Sequence, residues 1–406
     1  MTKRFGLFGA CLVTSLCVLL LLASHQLSNS NHRQVPDFRR NIQAYSDVVP
    51  ELIPVSSVNV STTLPTVKEI ISQQKAILEQ ELANYKFPQG YRLQNYTLAT
   101  NGRPLRNIIV TTWRSGSTFL GDVINAVPGN YYHYEPLLDY EIIQIRGPPY
   151  ASEALTNLKK LLMCDYSNME HYLEYGKSHI YLFTHNNRLW DQCQLYQQYC
   201  WNETFLNEYC KLFPFQSMKL VRLRLRLAEE LLKDDSLGVR VLLLVRDPRG
   251  TLQSRKHRDW CPGQADCDQP NLLCADMVSD YSAAIRLQNS YPDRFRAIRY
   301  EDFSLDPYKG VEELFSFFNL NIHPNVMEFL DSHTKLNVGG VSSTFRNSKS
   351  APFHWRADLN FSEVQYIEEQ CQSAMKYWGY VRAKNETHLR EFNPLTDYAL
   401  KSNIVS

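Results

Sequence analysis

The stretch from Asn107 to Val127, NIIVTTWRSGSTFLGDVINAV, places the strongest constraint on how this chain folds. Ile108 to Thr112 has the pattern of a buried strand. Five apolar residues then recur at helical spacing: Phe119, Leu120, Val123, Ile124 and Val127. A strand, a loop containing Gly and Ser, and a helix form the anion-binding unit of nucleotide-binding folds. The loop, Trp113 to Thr118, lacks the Gly-Lys-Ser/Thr of the common phosphate loop, so a Mg-ATP site is not predicted.

Further apolar runs extend the same pattern. Val241 to Val245 and Phe295 to Tyr300 read as strands, each followed by a helical pattern. Continuous apolar runs suit parallel strands that are covered on both faces. The sequence therefore predicts an α/β fold of three layers around a central parallel sheet. Near the end, Ser362 to Trp378 reads as an amphipathic helix, with a capping box of Ser362 and Gln365 and a stop at Gly379.

The N-terminus predicts a membrane anchor. Phe5 to Ala23 contains no charged residue, and 19 residues at ~1.5 Å each cover about 28 Å, close to the thickness of a hydrocarbon core. Lys3 and Arg4 precede the run, which favours a cytosolic N-terminus. We interpret residues 1–4 as a cytosolic tail, 5–23 as a signal-anchor transmembrane helix, 24–104 as a luminal stem and 105–406 as the main domain. A cleaved signal peptide is the alternative to the anchor.

The stem contains one helical stretch, roughly Thr66 to Tyr85. Its apolar residues recur at helical spacing and predict one apolar face. Packing of this face against the main domain is the interpretation we favour, because the stretch holds too few heptads for a coiled coil. A homodimer through the stem is the alternative.

Charge and cysteine content exclude several classes of protein. The chain has 43 Lys and Arg against 42 Asp and Glu, so no global field indicates nucleic acid as a partner. Eight cysteines follow the apolar run, an even number that is compatible with disulfides in an oxidising compartment. Paired C-x-x-C motifs are absent from the sequence, so no metal site is predicted. Five N-x-S/T sequons fit a glycosylated luminal domain.

Two segments carry candidate anion ligands. In the first loop, the amides of Gly116, Ser117, Thr118 and Phe119 are predicted to surround an anion, with Arg114 as a planar cationic fork. Hydroxyl donors are expected from Ser115, Ser117 and Thr118.

The second segment, VRDPRGTLQSR, closes a strand at Arg246 and starts a helix at Asp247 and Pro248. Arg246 and Ser254 are placed to bind one phosphate. Arg249 and Arg255 add positive potential, whereas we interpret Lys256 and Arg258 as a solvated basic face.

These motifs together resemble a known family. WRSGSTF, YYHYEPL, LVRDPRGTLQSR, RYEDF and FRNSKSAPFHWR occur in the order found in the Golgi carbohydrate sulfotransferases. The sequence is most similar to the family that sulfates the 6-hydroxyl of galactose, N-acetylgalactosamine or N-acetylglucosamine. The resemblance runs from about Asn107 to Tyr380 and is loose between Glu141 and Gln216.

The resemblance implies 3′-phosphoadenosine-5′-phosphosulfate as the sulfuryl donor, with no metal required. The loop from Arg114 to Phe119 would hold the 5′-phosphosulfate, and Arg246 with Ser254 would hold the 3′-phosphate. Arg346, Asn347, Ser348 and Trp355 would lie in a segment that closes over the nucleotide. The full set of predicted donor-binding residues is Trp113, Arg114, Ser115, Gly116, Ser117, Thr118, Phe119, Val245, Arg246, Asp247, Pro248, Arg249, Ser254, Arg346 and Ser348.

Transfer also needs a base for the acceptor hydroxyl and a cation for the leaving group. Arg114 is the candidate cation. Glu135 is the leading candidate base, expected to have an extended backbone because Pro136 follows it. His133 is the alternative base, predicted to share a strand face with Glu135. Glu301 and Asp302 are interpreted as structural residues.

A strand-like segment, QSMKL, ends near Lys219. Three arginines alternate with apolar residues after it: Arg222, Arg224 and Arg226. They either attract an anionic glycan or are ordinary surface charge. We favour surface charge.

The expected function is therefore sulfuryl transfer to a glycan or proteoglycan hydroxyl, by a single-pass type II protein of the Golgi membrane. Two alternatives are a nucleotide-dependent phosphotransferase and a non-catalytic glycan-binding protein of the same fold.

Overall fold

Five parallel strands form the central sheet, in the order β2-β3-β1-β4-β5. Their bounds are β1 Leu105–Val110, β2 Asn130–Tyr134, β3 Phe215–Leu220, β4 Arg240–Val245 and β5 Phe295–Arg299. The structure, a computed structural model, describes residues 64–340 and 343–401. The predicted tail, anchor and stem residues 24–63 lie outside the described residues.

The helices connect these strands and cover the sheet. Before β3 they are α1 Val67–Glu81, α2 Ser117–Asn125, α3 Ala151–Leu162, α4 Glu170–Ser178, α5 Tyr181–Thr184, α6 Asn187–Leu195 and α7 Glu203–Cys210. After β3 they are α8 Leu225–Leu232, α9 Pro248–Lys256, α10 Ala265–Asp268, α11 Pro270–Ser290, α12 Tyr300–Leu305, α13 Pro307–Phe318, α14 Pro324–His333, α15 Trp355–Asp358, α16 Phe361–Gln370, α17 Gln372–Tyr377 and α18 Glu386–Glu391.

Apolar cores lie on both faces of the sheet, which confirms the three-layer α/β prediction. Ile108 and Val110 of β1 belong to one buried cluster, and Ile109 between them belongs to the other. Alternation along a strand sends successive side chains to opposite faces. Both faces are apolar because each is covered by helices, as expected for an all-parallel sheet.

Residues 64–104, which we predicted as stem, belong to the same compact unit as the main domain. Helix α1 begins after the N-cap Thr66, whose side chain forms a capping box with Glu69. Its buried face carries Ile70, Gln74 and Leu78. The Tyr209 hydroxyl donates to Gln74 at 3.0 Å, so this face packs against the domain as favoured. Because the chain itself covers this face, no homodimer through it is proposed.

The predicted helix from Ser362 to Trp378 is two helices, α16 and α17, with Cys371 between them. The capping box is also displaced from the prediction, because Asn360 and Glu363 form it instead of Ser362 and Gln365. Cys371 is joined to Cys274 of α11 by a disulfide. Gly379 has a φ of +69° and follows α17, as predicted.

The eight cysteines after the apolar run form four disulfides: Cys164–Cys210, Cys193–Cys200, Cys261–Cys267 and Cys274–Cys371. The first two of them lie in the segment between β2 and β3. Between residues 64 and 401, leaving aside the undescribed pair 341–342, no helix is long and apolar enough to cross a bilayer.

Candidate active site

The polar residues singled out in the sequence meet at the carboxyl end of the sheet. The loop after β1 carries Arg114, the residue after β2 is Glu135, and Arg246 follows β4. Lys219 is the next-to-last residue of β3, which lies between β1 and β2. Ligands of open parallel sheets bind at this edge, where the strand order reverses.

The loop after β1 has a tight backbone that requires glycine. Gly116 has a φ of +85° and caps helix α2. A Cβ at Gly116 would lie 2.3 Å from the Tyr300 ring, so every larger side chain would clash. Arg114 also has a positive φ, of +65°. This backbone brings the start of α2 beside α12 and directs the amides of its first turn to the edge of the sheet.

Buried side chains fix the position of the loop after β1. The hydroxyl oxygens of Thr111 and Ser115 are 2.6 Å apart, and Ser115 is fully buried, so its side chain braces the loop instead of facing a ligand. Arg255 was expected to add positive potential at the anion site, but it is buried. Its guanidinium donates to the carbonyl oxygens of Trp113 and Cys267 and to the Thr112 hydroxyl. The loop position thus depends on a cation that helix α9 supplies.

Arg114, Arg246 and Ser254 are in direct contact. Arg246 donates from Nη1 to the Arg114 carbonyl oxygen at 2.8 Å. Arg114 donates from Nε to the Ser254 hydroxyl at 3.0 Å. We call these three residues the arginine cluster. The prediction placed the two basic segments in separate anion sites, whereas in the structure their side chains contact each other.

Positive charges lie close together in the arginine cluster. Burial, and then the neighbouring charges of Arg258 and Arg246, lower the pKa of Arg114 to about 10. Within the described part of the chain, Arg246 has no carboxylate within ion-pair distance, and its buried Nε has no hydrogen-bond partner. Cations crowded together in this way favour an anionic ligand, whose charge would relieve their repulsion.

Glu135 is held by two cations beside this cluster. Lys219 donates to its Oε1 and Arg222 donates to its Oε2, both at 2.8 Å. Lys219 also donates to the Thr118 hydroxyl at 3.2 Å and lies 3.8 Å from the centre of the Tyr134 ring. Lys219 therefore links the carboxylate to the first turn of α2. We call Glu135, Lys219 and Arg222 the carboxylate clamp.

The carboxylate clamp keeps Glu135 ionised. Burial by itself raises the pKa of Glu135, but the charges and hydrogen bonds of Lys219 and Arg222 outweigh burial and lower it to about 2. The expected extended backbone at Glu135 is wrong, because its φ is +43°. This conformation turns the side chain off the strand alternation and towards Lys219.

His133 does not share the face of Glu135, so that prediction is wrong. Its side chain is buried beside Tyr131, at a ring distance of 5.1 Å, and lies near Tyr166 and Phe183. Burial, with a smaller effect of Arg106, lowers the pKa of His133 to about 3. A neutral imidazole in an apolar enclosure has no access to a substrate hydroxyl and serves as a packing residue.

The interpretation of Arg222 and Arg224 as surface charge is also wrong. Both are buried, and Arg224 lies within 4 Å of Asp276 and Asp280 and donates to the Thr111 carbonyl oxygen. Lys219 and Arg222 were absent from the predicted site. The signal for them was a charged residue at the end of an apolar strand, since a buried charge requires a partner.

Comparisons with known proteins identify the family of this chain. The protein-family model named sulfotransferase domain matches residues 105–379. The chain belongs to this sulfotransferase family. It is 26% identical over 326 residues to carbohydrate sulfotransferase 3 of Mus musculus, covering 70% of this chain and 69% of that one. It is 25% identical to carbohydrate sulfotransferase 5 of the same organism, covering 72% and 85%.

Among solved structures, the sulfotransferase domain from the Synechococcus olefin synthase is similar over 68% of this chain and 95% of that chain, with 17% identity and a TM-score of 0.39. The family membership establishes an enzyme that uses 3′-phosphoadenosine-5′-phosphosulfate. The phosphotransferase and the non-catalytic protein are thereby set aside.

In this sulfotransferase, Arg249 and Asp247 are structural, which corrects their assignment to the donor. Arg249 is fully buried, and its donors bond to Asp247, to Glu368 and to the Val381 carbonyl oxygen. The Asp247 carboxylate also accepts from the Arg249 amide as the N-cap of α9, as predicted. Because these groups satisfy one another inside the core, they fix the start of α9. Arg246, just before this helix, is half-buried and remains at the arginine cluster.

Local contacts hold the residues that we predicted to close over the nucleotide. Arg346 donates to the carbonyl oxygens of Val338 and Phe345 in its own loop, and the Ser348 amide bonds to the Thr334 carbonyl oxygen. Trp355 is buried, 4.1 Å from the Arg249 guanidinium. Arg346 and Ser348 are thus engaged locally, and Trp355 packs against α9.

Glu301 of the sulfotransferase binds the backbone directly after Arg246. Its carboxyl is fully buried and accepts from the Asp247 amide at 3.0 Å and from the Tyr380 hydroxyl at 2.9 Å. Burial, and then the charge of Asp247, raises the pKa of Glu301 to about 7. Asp302 pairs with Arg299 at 2.8 Å, as expected of a structural residue.

Replacing Glu301 with glutamine is expected to flatten the dependence of stability on pH. The folded state binds the Glu301 proton more tightly than the unfolded chain does. Protonated Glu301 therefore adds on the order of 3 kcal/mol to the free energy of unfolding below about pH 4.5, and this contribution is lost as pH rises through about 7. Thermal unfolding at pH 5, 6, 7 and 8 checks this. The exposed Glu312→Gln is the control. A variant that keeps the wild-type slope would contradict the assignment.

Groups of three or more His, Cys, Asp or Glu arranged to hold a metal ion are absent from the described residues of the sulfotransferase.

Proposed function

We propose that this enzyme transfers the sulfuryl group of 3′-phosphoadenosine-5′-phosphosulfate to a glycan or proteoglycan hydroxyl, the 6-hydroxyl of galactose, N-acetylgalactosamine or N-acetylglucosamine. The observation that carries the proposal is that Lys219 joins Glu135 to the anion loop at Thr118, which puts a carboxylate beside a cationic cluster. The similarity to carbohydrate sulfotransferases supports a sugar as acceptor.

The arginine cluster fits a donor with phosphates at both ends of a nucleoside. We assign the 5′-phosphosulfate to the amides of Gly116 to Phe119 and to Arg114, and the 3′-phosphate to Arg246 and Ser254. The buried Arg246 Nε without a partner supports this assignment, because it offers an unused donor at the cluster. The bond between Arg114 and Ser254 would then open as the donor enters, and each residue would turn to its own anionic group.

The donor supplies a sulfur atom that carries a good leaving group, the 5′-phosphate. Arg114 and the α2 amides stabilise the negative charge that develops on the bridging oxygen as the sulfur–oxygen bond breaks. Glu135 accepts the proton of the acceptor hydroxyl as that oxygen bonds to sulfur. The products are a sulfate ester and 3′-phosphoadenosine-5′-phosphate, so charge and protons balance without a further reactant.

Lys219 explains how a carboxylate with so low a pKa serves as a base. Its ammonium is shared between Glu135 and Thr118, with distances of 2.8 and 3.2 Å. An anion on the loop would draw this ammonium away from Glu135. Loss of that cation raises the proton affinity of the carboxylate at the moment when the acceptor needs a base.

The proposed location is the Golgi membrane, with the domain in the lumen. Four disulfides support an oxidising compartment, and the apolar run at residues 5–23 supports an anchor.

Calorimetry and transfer assays test the function. We expect 3′-phosphoadenosine-5′-phosphate to bind the purified luminal part in excess chelator, and ATP not to bind. Labelled sulfate is expected to enter one of three desulfated acceptors: keratan, chondroitin or a mucin-type glycan. Donor binding without transfer to any sugar acceptor would contradict the acceptor class. Equal binding of ATP would contradict the donor.

A further inference from the structure

A second basic surface lies apart from the arginine cluster. It is a groove of about 540 Å³, between the segment that begins at Lys349 and helix α18. Four of its lining side chains are basic: Lys349, His354, Arg356 and Arg390. The other three are Ser350, Phe353 and Ala357. No carboxylate lines it among the described residues.

Most of this positive charge is not neutralised. In the described part of the chain, Lys349 and His354 form no ion pair, and only Arg390 has a carboxylate partner, Glu386. Arg356 donates from Nη1 to the Phe392 carbonyl oxygen, while its buried Nε has no hydrogen-bond partner. Burial lowers the pKa of Arg356, and nearby Arg249 lowers it further. A buried donor without a partner beside other cations indicates an anionic ligand.

The shape and lining favour an acidic carbohydrate as that ligand. The Phe353 ring lies 5.2 Å from the Arg356 guanidinium and offers an apolar face beside the cations. Ser350 adds a hydroxyl at the same wall. A sugar ring with a sulfate or carboxylate group presents an apolar face and an anion together, which matches an aromatic side chain flanked by arginine.

The groove is adjacent to the donor helix but separate from the arginine cluster. The Gln253 side chain of α9 donates to Asp358 at 2.7 Å, which joins α15 to the helix that carries Ser254. Trp355 of α15 packs inward on Gly250, whereas His354 and Arg356 on either side of it line the groove. The lining of the groove includes none of the three residues of the arginine cluster.

We propose that this groove binds a sulfate- or carboxylate-bearing part of the acceptor chain, away from the sugar that reacts. The inference rests on the proposed function and deepens it, because it identifies an acidic polysaccharide as the substrate class. The cations of the groove then hold a chain whose other end reaches Glu135.

Direct binding tests the groove with three hexasaccharides: sulfated keratan, sulfated chondroitin and fully desulfated keratan as the neutral probe. The double variant Lys349→Ala/Arg390→Ala is expected to raise the Kd of both acidic probes about three- to ten-fold, as for the loss of two exposed charge contacts. The Kd of the neutral probe and of 3′-phosphoadenosine-5′-phosphate is expected to stay at the wild-type value. Added salt is expected to weaken acidic binding to the wild type.

Lys309→Ala/Arg286→Ala is the matched control, since it removes two exposed cations from helices α13 and α11. Lys349→Glu is the second variant. The Lys349 side chain is exposed and forms no bond within the described residues, so its replacement is not expected to unfold the chain. Unchanged acidic binding in both groove variants would overturn the proposal. Weaker nucleotide binding would assign the groove to the donor and overturn it equally. Sulfate transfer by the wild type tests the proposed function independently of these variants.

Discussion

Replacing Arg114 with alanine is expected to lower kcat for sulfate transfer by about 10²–10³-fold, equivalent to about 2.7–4 kcal/mol of barrier. Arg114 lies at the centre of the arginine cluster, with its Nε on Ser254 and its carbonyl oxygen on Arg246. We expect the loss to fall mainly on kcat, because charge on the bridging oxygen develops in the transition state. Initial rates with labelled donor, at saturating acceptor, measure it.

The matched control for Arg114 is Lys256→Ala. Lys256 lies on α9, two residues beyond Ser254, and pairs with Glu363 on the surface. Its removal changes the net charge by the same amount without touching the cluster. If Arg114→Ala and Lys256→Ala have the same kcat as the wild type, Arg114 takes no part in transfer. If Arg114→Ala loses only donor affinity, its role is binding and not catalysis.

Replacing Glu135 with glutamine is expected to lower kcat by about 10²–10⁴-fold, the usual contribution of a positioned base. Glutamine keeps the size of the side chain but accepts no proton from the acceptor hydroxyl. Because two cations are left without their carboxylate, the fold is expected to lose stability as well. Donor binding by calorimetry and a thermal unfolding curve therefore accompany the rate measurement. Unchanged turnover in a folded variant would remove Glu135 from the mechanism.

Two further variants separate a base from a merely structural ion pair. Glu141→Gln is the control for the substitution, since Glu141 is near the clamp but forms no ion pair within the described residues. Lys219→Met removes one of the cations that lower the pKa of Glu135. The pKa of Glu135 in the enzyme without bound donor therefore rises, and the acidic limb of the pH profile of kcat/KM for the donor moves to higher pH. A structural role alone predicts no movement of this limb.

Part of the positive charge at the loop after β1 comes from residues outside its local sequence motif. The loop WRSGSTF has no lysine at the usual position, and Arg114 accounts for only part of the missing charge. Lys219 and Arg222 come from β3 and the turn after it, more than 100 residues along the chain from Arg114. They reach the loop because β3 lies directly beside β1 in the parallel sheet. No local pattern around the loop contains that neighbour.

Local patterns determined the strands and the first anion loop, because their causes are local. Apolar runs predicted β1, β4 and β5, and the need for Gly116 follows from a backbone that a Cβ would block. Asp247 and Pro248 predicted the start of α9, because capping also depends on local residues.

Tertiary structure alone decided how the charges are used. Arg249 and Arg246 lie three residues apart and are both arginine, yet one is neutralised in the core by Asp247 and Glu368 and the other faces the cluster. His133 is buried and Glu135 is clamped because the positive φ at Glu135 ends the strand alternation between them. The role of a charged side chain depends on its burial and its partners, and both come from residues that are distant in sequence and adjacent only after folding.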